Sequence, residues 1–279
     1  MQENKDKLKL QCLTFVNDKD IECINDIENL ASIFYSEFYN KPKNPYNKVI
    51  SGRIDEKIIS QLEKPENSNI KIFKEHPYWL YCSVNKGVEK FDVSGKGTKM
   101  GRIYLNIIPE KIPELFEKIA ENTQKEGLNI EIKTTKNYSD ASERIDKLII
   151  YFSEKDSEKI LEIIDKIYKE NNIYFIQEIP KFTAQLKTGE GERMNGVSFG
   201  EEPIFWGESF GTIRAKILGE IIYINVKKTG DYLLNQNFDL KSDFVEMCKK
   251  YSIDPNNPAF NSDSLENNKF LKIRERIID

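Results

Sequence analysis

Two stretches of sequence decide the fold: GRIYLNI at residues 101–107 and LNIEIKTTKNYSDASERIDKLIIYF at residues 128–152. In the first stretch, apolar and polar residues alternate in the two-residue rhythm of a strand with one buried face. The same alternation at 128–133 predicts a second strand and directs Lys133 away from the apolar face. Both strands therefore present one polar face that can carry functional side chains.

The segments around these strands follow the same kind of periodicity. Between residues 109 and 127, apolar residues fall at helical spacing, with proline near the start and glycine past the end. Residues 147–152 indicate a buried third strand, a second amphipathic helix is expected to begin near Ser153 or Asp156, and residues 173–176 indicate a fourth strand. The order β-α-β-β-α-β is the split βαβ arrangement, with an antiparallel-centred sheet and its helices packed on one face.

Helical segments are predicted on both sides of this core, so the fold class is α+β. Residues 1–65 are expected to form a mainly helical N-terminal segment and residues 66–279 an α+β domain, although 1–279 can also be one continuous domain. A strand is predicted at 78–84, and a helix at 239–251 belongs to a further C-terminal helical part.

Composition and charge narrow the class of protein. A chain of 279 residues with 39% hydrophobic residues can bury a sizeable core. Its 42 basic and 46 acidic residues give a net charge of −4, which provides no overall attraction to nucleic acid or to an anionic membrane. The four cysteines lack a metal-ligand pattern, and no secretory signal or membrane-spanning run is evident. We expect a cytoplasmic protein with no metal, no organic cofactor and no nucleic-acid or membrane partner.

Two segments that precede the core contain candidate functional residues: the loop of His76 and the run at 85–101. His76, the only histidine, has the side chain best suited to exchange a proton near neutral pH, but its position before Pro77 is also typical of an ordinary loop residue. The glycine- and lysine-rich run at 85–101 lacks the GxxxxGK[ST] spacing and the strand-to-helix context of a phosphate loop. We interpret that run as a basic hairpin.

A long segment at 180–225 is rich in glycine and polar residues, which is typical of a functional loop. It is expected to end at a helix that Ser209 caps and that carries Arg214 in its first turn. A cation at a helix N-terminus is unfavourable unless an anion binds there, so Arg214 is a candidate anion ligand. The alternative is an ion pair with a nearby glutamate: Glu201, Glu202 or Glu208.

Four features occur in one order along the chain: GRIYLN at 101–106, the strand of Lys133, RID at 144–146 followed by Tyr151, and PKFTAQL…GEEP…SFGTIR within 180–214. In this order they resemble the HopA-type effector family over residues 75–260. Its members are plant-pathogen type III effectors or stand-alone proteins in gene clusters for ribosomally made peptides, including class V lanthipeptides and thioamitides. In the latter setting, the resemblance implies a lyase that acts with a separate Ser/Thr kinase-like protein. Its substrate would be a phosphorylated precursor peptide.

That family is distantly similar to phosphothreonine lyases, which use a lysine base, a histidine acid and several phosphate-binding arginines. The resemblance implies that Lys133 is the base and that Arg144 and Arg214 bind phosphate. It also implies that Tyr151 orients the reactants through its hydroxyl and that Glu202 orients Arg214 or the lysine. β-Elimination needs such groups because a base must take the Cα proton while positive charge stabilises the departing phosphate.

The proton donor departs from the lyase pattern. Phosphothreonine lyases carry Lys-x-His on the strand that matches Arg102-Ile103-Tyr104, so arginine and tyrosine stand where lysine and histidine are expected. Arg102 then joins the phosphate-binding residues. Tyr104 can donate the proton if arginines lower its pKa from about 10, and His76 can do so if its loop folds over the site.

Two other classes of function stay open. A non-catalytic effector-like protein that binds partners predicts that Lys133 lies in an ordinary surface salt bridge rather than in a basic pocket. A peptide-carrying member of a biosynthetic complex would instead take up a leader peptide at an exposed strand edge.

Overall fold

One antiparallel sheet organises the part of the chain that the computed structural model describes, which comprises residues 27–39, 42, 51–87, 100–204, 208–229 and 240–278. Its seven strands are β1 (Ile70–Phe73), β2 (Trp79–Val84), β3 (Met100–Leu105), β4 (Ile130–Thr135), β5 (Leu148–Ser153), β6 (Ala184–Lys187) and β7 (Arg193–Glu201). They lie in the order β1-β2-β4-β5-β3-β7-β6. The three strands around the decisive stretches therefore occupy the centre of the sheet.

Helices pack against both faces of this sheet. The helices of the described residues are α1 (Ile27–Tyr39), α2 (Ile54–Leu62), α3 (Ile112–Lys125), α4 (Tyr138–Ser142), α5 (Ser157–Asn171), α6 (Phe210–Thr229), α7 (Leu240–Lys250) and α8 (Leu271–Glu275). Helices α2, α3, α5 and α8 contribute to the main apolar core on one face. Helix α1 packs along α6, and Phe210 of α6 packs on the opposite face.

Residue alternation assigns each strand position to one of the two faces. On β3, Ile103 and Leu105 are fully buried in the main core, whereas Arg102 and Tyr104 point to the opposite face. We call this opposite face the site face. The strand register places these residues on it: Trp79 and Tyr81 of β2, Arg102 and Tyr104 of β3, Lys133 of β4, and Ile149 and Tyr151 of β5.

The α+β fold class is confirmed, and the first three core strands lie where periodicity predicts them. The two helices of the predicted core order, α3 and α5, pack on one face as predicted, whereas α1 and α6, which lie outside that order, cover part of the site face. Tyr104 and Ile149 are each 1% exposed there. Burying the Tyr104 ring and the Ile149 side chain away from water is favourable, and Phe210 packs over both.

The predicted fourth strand at 173–176 is wrong. The chain forms a 3-10 turn, Asn172–Tyr174, directly after α5, and a single bridge joins Ile107 to Phe175. Ile173 is 78% exposed, so it does not contribute an apolar strand face. The position beside β3 belongs to β7, which is hydrogen-bonded to β3 from Leu105 to Gly101.

The segment at 180–225 contains the predicted helix, but the functional loop predicted ahead of that helix is wrong over residues 184–201. Strands β6 and β7 form an antiparallel hairpin there, and α6 begins at Phe210. The expected cap is present, because the Ser209 hydroxyl accepts a hydrogen bond from the Thr212 amide at 3.2 Å.

Other predictions are confirmed or lie outside the described residues. Helices α1, α2 and α7 agree with the predicted helical segments. The structure of the basic run at 88–99 and of residues 1–26 lies outside the described part, and a domain boundary at residue 65 stays a prediction. Within the described ranges, every helix is too short or too polar to cross a bilayer.

Candidate functional site

Lys133 lies in the open part of the site face. It stands on β4 directly opposite Tyr81 of β2 and Ile149 of β5. Its Nζ is 3.8 Å from the centroid of the Trp79 ring and 5.6 Å from that of Tyr81. Aromatic faces attract a lysine ammonium without taking its proton. Among the described residues Lys133 makes no ion pair, so its amino group remains available to a ligand.

The surroundings of Lys133 favour its neutral form. Burial lowers its pKa to about 8, and the positive charges of Arg102 and Arg144 act in the same direction. The carboxylates of Asp146 and Glu202 oppose this shift. At pH 7.5 a group with this pKa is neutral in about one molecule in four. Lys133 therefore has the ionisation behaviour that a general base needs.

Arg144 is fixed at the edge of the site by the turn between α4 and β5. Its Nε and Nη2 donate to the two carboxylate oxygens of Asp146 at 2.8 and 3.0 Å, and its guanidinium carbon lies 4.7 Å from the Trp79 ring. Although burial acts to lower it, the Asp146 carboxylate raises the pKa of Arg144. The Tyr35 hydroxyl of α1 accepts a further bond from Arg144 at 3.4 Å. The guanidinium of Arg144 is thus fixed in position by Asp146 and Tyr35 and stays positively charged near Lys133.

Arg102 supplies a second cation from β3. Its guanidinium carbon stacks 4.8 Å from the Tyr151 ring, and its Nη2 donates to the carboxylate of Glu202. Arg102 is 7% exposed, yet its Nε has no hydrogen-bond partner among the described residues, and neither has Oε2 of Glu202. A buried donor without a partner is costly. A phosphate oxygen would satisfy the Arg102 Nε.

Tyr104 and Tyr151 of the site face are buried and protonated. Burial raises the pKa of Tyr104 and of Tyr151, and it outweighs the opposing effect of Arg102. The condition under which Tyr104 was expected to act as an acid, a pKa lowered by arginines, is therefore not met. The Tyr104 ring also lies 5.8 Å from that of Phe210, beneath α6. Its hydroxyl can still donate a hydrogen bond.

His76 lies beside Tyr81, the residue that pairs with Lys133 across β2 and β4. Its Nδ1 accepts hydrogen bonds from the amides of Tyr78 and Trp79, both at 3.2 Å, and its ring lies 5.8 Å from that of Tyr81. Because Nδ1 is an acceptor, the neutral ring carries its proton on Nε2. The His76 loop is therefore next to Tyr81, the aromatic neighbour of Lys133, and His76 itself is exposed.

Arg214 lies behind the site. It is 1% exposed, and its Nε and Nη2 donate to the Pro258 carbonyl at 3.1 and 3.0 Å. Its guanidinium carbon lies 3.8 Å from the Phe210 ring, and burial lowers its pKa to about 10. These contacts differ from both sequence-based alternatives, the anion at the helix terminus and the glutamate pair. The role of Arg214 as a phosphate ligand stays a prediction.

Sequence reasoning missed two residues of the site. Trp79 lies between the cationic groups of Lys133 and Arg144, and Asp146 fixes Arg144. The two-residue offset of Arg144 and Asp146 in the sequence is a signal for such a pair, whereas the approach of Trp79 depends on strand pairing. Within the described ranges, no group of three or more histidine, cysteine or acidic side chains is arranged to hold a metal ion.

The fold and the site together define a class: an α+β protein whose antiparallel sheet presents a lysine of lowered pKa near a buried arginine, Arg102, and a half-buried one, Arg144. The sequence model of the HopA1 effector protein family matches residues 88–260. The chain therefore belongs to the HopA1 effector protein family. No match was found among curated protein sequences.

The comparison with solved structures concerns the fold alone. The fold is similar to that of the effector protein from Pseudomonas syringae pv. tomato strain DC3000, with a TM-score of 0.61, 13% identity, and coverage of 90% of this chain and 95% of that chain. The effector protein from Pseudomonas syringae pv. syringae strain 61 is also similar in fold, with a TM-score of 0.57 and 15% identity, and the match covers 84% of this chain and 95% of that chain. The phosphothreonine lyase SpvC, the effector protein from Salmonella, has a TM-score of 0.35 and 8% identity, and the match covers 64% of this chain and 91% of that chain.

Proposed function

We propose that this protein is a phosphoserine and phosphothreonine lyase that eliminates phosphate from a peptide. The observation that carries the proposal is Lys133, a partly buried lysine whose pKa is lowered to about 8 and whose neighbours include Arg102 and Arg144. A lysine base must be neutral near physiological pH, and the departing phosphate needs positive charge beside it. The site face supplies both.

The reaction assigns one task to each group. Neutral Lys133 takes the Cα proton, and the electrons of the Cα–H bond form the Cα–Cβ double bond. The Cβ–O bond breaks, and its electron pair leaves with the phosphate. Arg102 and Arg144 hold the phosphate oxygens through charge-assisted hydrogen bonds. Phosphoserine becomes dehydroalanine, and phosphothreonine becomes dehydrobutyrine.

The bridging oxygen of the departing phosphate takes up a proton, and His76 and Tyr104 are the two candidate donors. His76 would have to donate as the imidazolium, with Nδ1 protonated and released from its hydrogen bonds to the Tyr78 and Trp79 amides. The Nε2–H of His76 faces away from the backbone amides that engage Nδ1, and the ring lies 5.8 Å from that of Tyr81, the residue paired with Lys133. Tyr104 is the second candidate, but it is buried beneath Phe210. Glu202 orients Arg102, and Tyr151 supports the same guanidinium from below.

The alternative of a non-catalytic, effector-like binding protein predicted an ordinary salt bridge at Lys133. The described residues provide no such partner. The Trp79 and Tyr81 rings lie 3.8 and 5.6 Å from Nζ, and neighbouring arginines act on its pKa. A lysine arranged in this way favours catalysis over simple partner binding.

We extend the proposal to the biosynthesis of a ribosomally made, lanthipeptide-like peptide in the cytoplasm. The support is the family membership together with the stand-alone occurrence of such proteins in these gene clusters. A separate Ser/Thr kinase-like protein would supply the phosphorylated precursor peptide, because the lyase itself consumes a phosphate ester. A kinase-like gene beside a short Ser/Thr-rich peptide gene would support this extension, whereas adjacent secretion genes would oppose it.

The decisive experiment is mass spectrometry of phosphoserine and phosphothreonine peptides, including the neighbouring precursor. We expect the wild type to remove phosphoric acid, Lys133→Ala to lose this activity, and Lys166→Ala, an exposed lysine on α5, to keep it. Binding of these peptides without any loss of phosphoric acid would contradict the lyase and leave a phosphopeptide-binding protein.

A further inference from the structure

Three residues of the site face form a straight row across neighbouring strands. Phe73 of β1 lies directly opposite Tyr81 of β2, and Tyr81 lies directly opposite Lys133 of β4. Residues paired in this way point to the same face, with their Cβ atoms about 4.5–5.5 Å apart. The row continues beyond Lys133 to Ile149 and Tyr104.

The two ends of this row differ in exposure. Ile149 and Tyr104 are each 1% exposed and are packed under Phe210. At the other end, Phe73 is 44% exposed. A peptide whose phosphorylated residue reaches Lys133 therefore meets covered sheet in one direction and an open aromatic surface in the other. Its chain has room to continue over β2 and β1.

We propose that Phe73 and Tyr81 form a subsite for an apolar side chain of the substrate peptide, on one side of the phosphorylated residue. This inference rests on the proposed lyase function. Phe73 is two strand spacings, about 9.6 Å, from Lys133, and an extended chain advances about 3.3 Å per residue. The apolar side chain therefore lies roughly two to four positions from the phosphorylated residue.

The chemistry of the surface selects an aliphatic or aromatic side chain. Other exposed apolar residues, such as Ile173 and Leu265, lie off the site face and are ordinary single surface residues. Phe73 differs because Tyr81 connects it to Lys133 and the His76 ring lies against Tyr81. Burying an aromatic ring against an apolar side chain is favourable, whereas a polar side chain gains nothing there.

The test compares labelled phosphothreonine peptides that carry leucine or serine at these flanking positions. Fluorescence anisotropy measures binding, and mass spectrometry measures kcat/KM for loss of phosphoric acid. We expect the wild type to prefer the leucine peptide by about 5- to 20-fold. Phe73→Ser should abolish the preference, Phe73→Leu should keep most of it, and Ile173→Ser, a more exposed apolar control, should leave it unchanged.

The outcomes separate the subsite from the reaction. A leucine preference in binding that depends on Phe73, without any loss of phosphoric acid, would keep the subsite and overturn the lyase. Equal binding and equal kcat/KM for both peptides, with no effect of Phe73→Ser, would overturn the subsite even if elimination occurs. Absence of binding to every peptide would overturn both.

Discussion

At the scale of single residues, the chemistry depends on how Lys133 loses its proton. Burial lowers its pKa to about 8, and two arginines act in the same direction as burial. A base is active only when neutral, so we expect kcat/KM for elimination to rise with pH, with an apparent pKa about 8, and to level off above it. The second ionisation of the phosphate has a pKa of about 6, roughly two units lower, so it does not account for the rise near pH 8. Initial rates between pH 6 and pH 10 measure the profile; a flat profile would exclude Lys133 as the base.

Arg144 adjusts this ionisation through its charge. Arg144→Gln removes a cation that lowers the pKa of Lys133 and leaves Asp146, which raises it. We expect the rise of kcat/KM with pH to move to higher pH. At pH 7, kcat/KM should fall roughly tenfold or more, because a shift of one pKa unit changes the neutral fraction of Lys133 about tenfold. The second substitution Asp146→Asn removes the negative charge that raises the pKa of Lys133, so the pH profile of kcat/KM should return towards that of the wild type. An unchanged pH profile in Arg144→Gln would show that Arg144 does not act on the base.

At the scale of elements, strand β7 shows where the sequence misleads. Its segment is rich in glycine, which is typical of a loop, but each of two glycines allows a close approach instead. A Cβ at Gly200 would lie 2.5 Å from the Phe210 ring, and one at Gly196 would lie 2.2 Å from the Ile176 carbonyl. Gly196 also has a φ of +66°. Glycine enrichment cannot distinguish such packing from a flexible connection without knowledge of the partner.

The packing of β7 against α6 gives a prediction for stability. Gly200 lies opposite Arg102 in the β3–β7 pair, and Gly200→Ala would push Phe210 away from the sheet. We expect the free energy of unfolding to fall by about 1–3 kcal/mol, as for other overpacked sites. Denaturant unfolding of Gly200→Ala and of Asn195→Ala, an exposed position on the same strand, makes the comparison. Equal stabilities would contradict the close contact.

At the scale of the whole molecule, alternation and helical spacing were sufficient to predict the central strands, α3 and α5. They could not predict which face the other helices cover. Arg102 and Tyr104 alternate with apolar residues and therefore suggest a solvent-facing side, yet α1 and α6 leave them 7% and 1% exposed. The convergence of Lys133 with Arg102 follows from β4 and β3 each pairing with β5, which lies between them. The approach of Trp79 to both Lys133 and Arg144 depends on contacts that only the folded chain specifies.

The proposal that Lys133 catalyses elimination is tested most directly by following the hydrogen on Cα of a phosphothreonine peptide. With deuterium at Cα, we expect the wild type to release phosphate, to lose the deuterium and to react more slowly than with the protiated peptide. Lys133→Ala should leave both the phosphate and the deuterium in place. A product that has gained a hydroxyl in place of phosphate and kept its deuterium would identify hydrolysis and contradict elimination by Lys133.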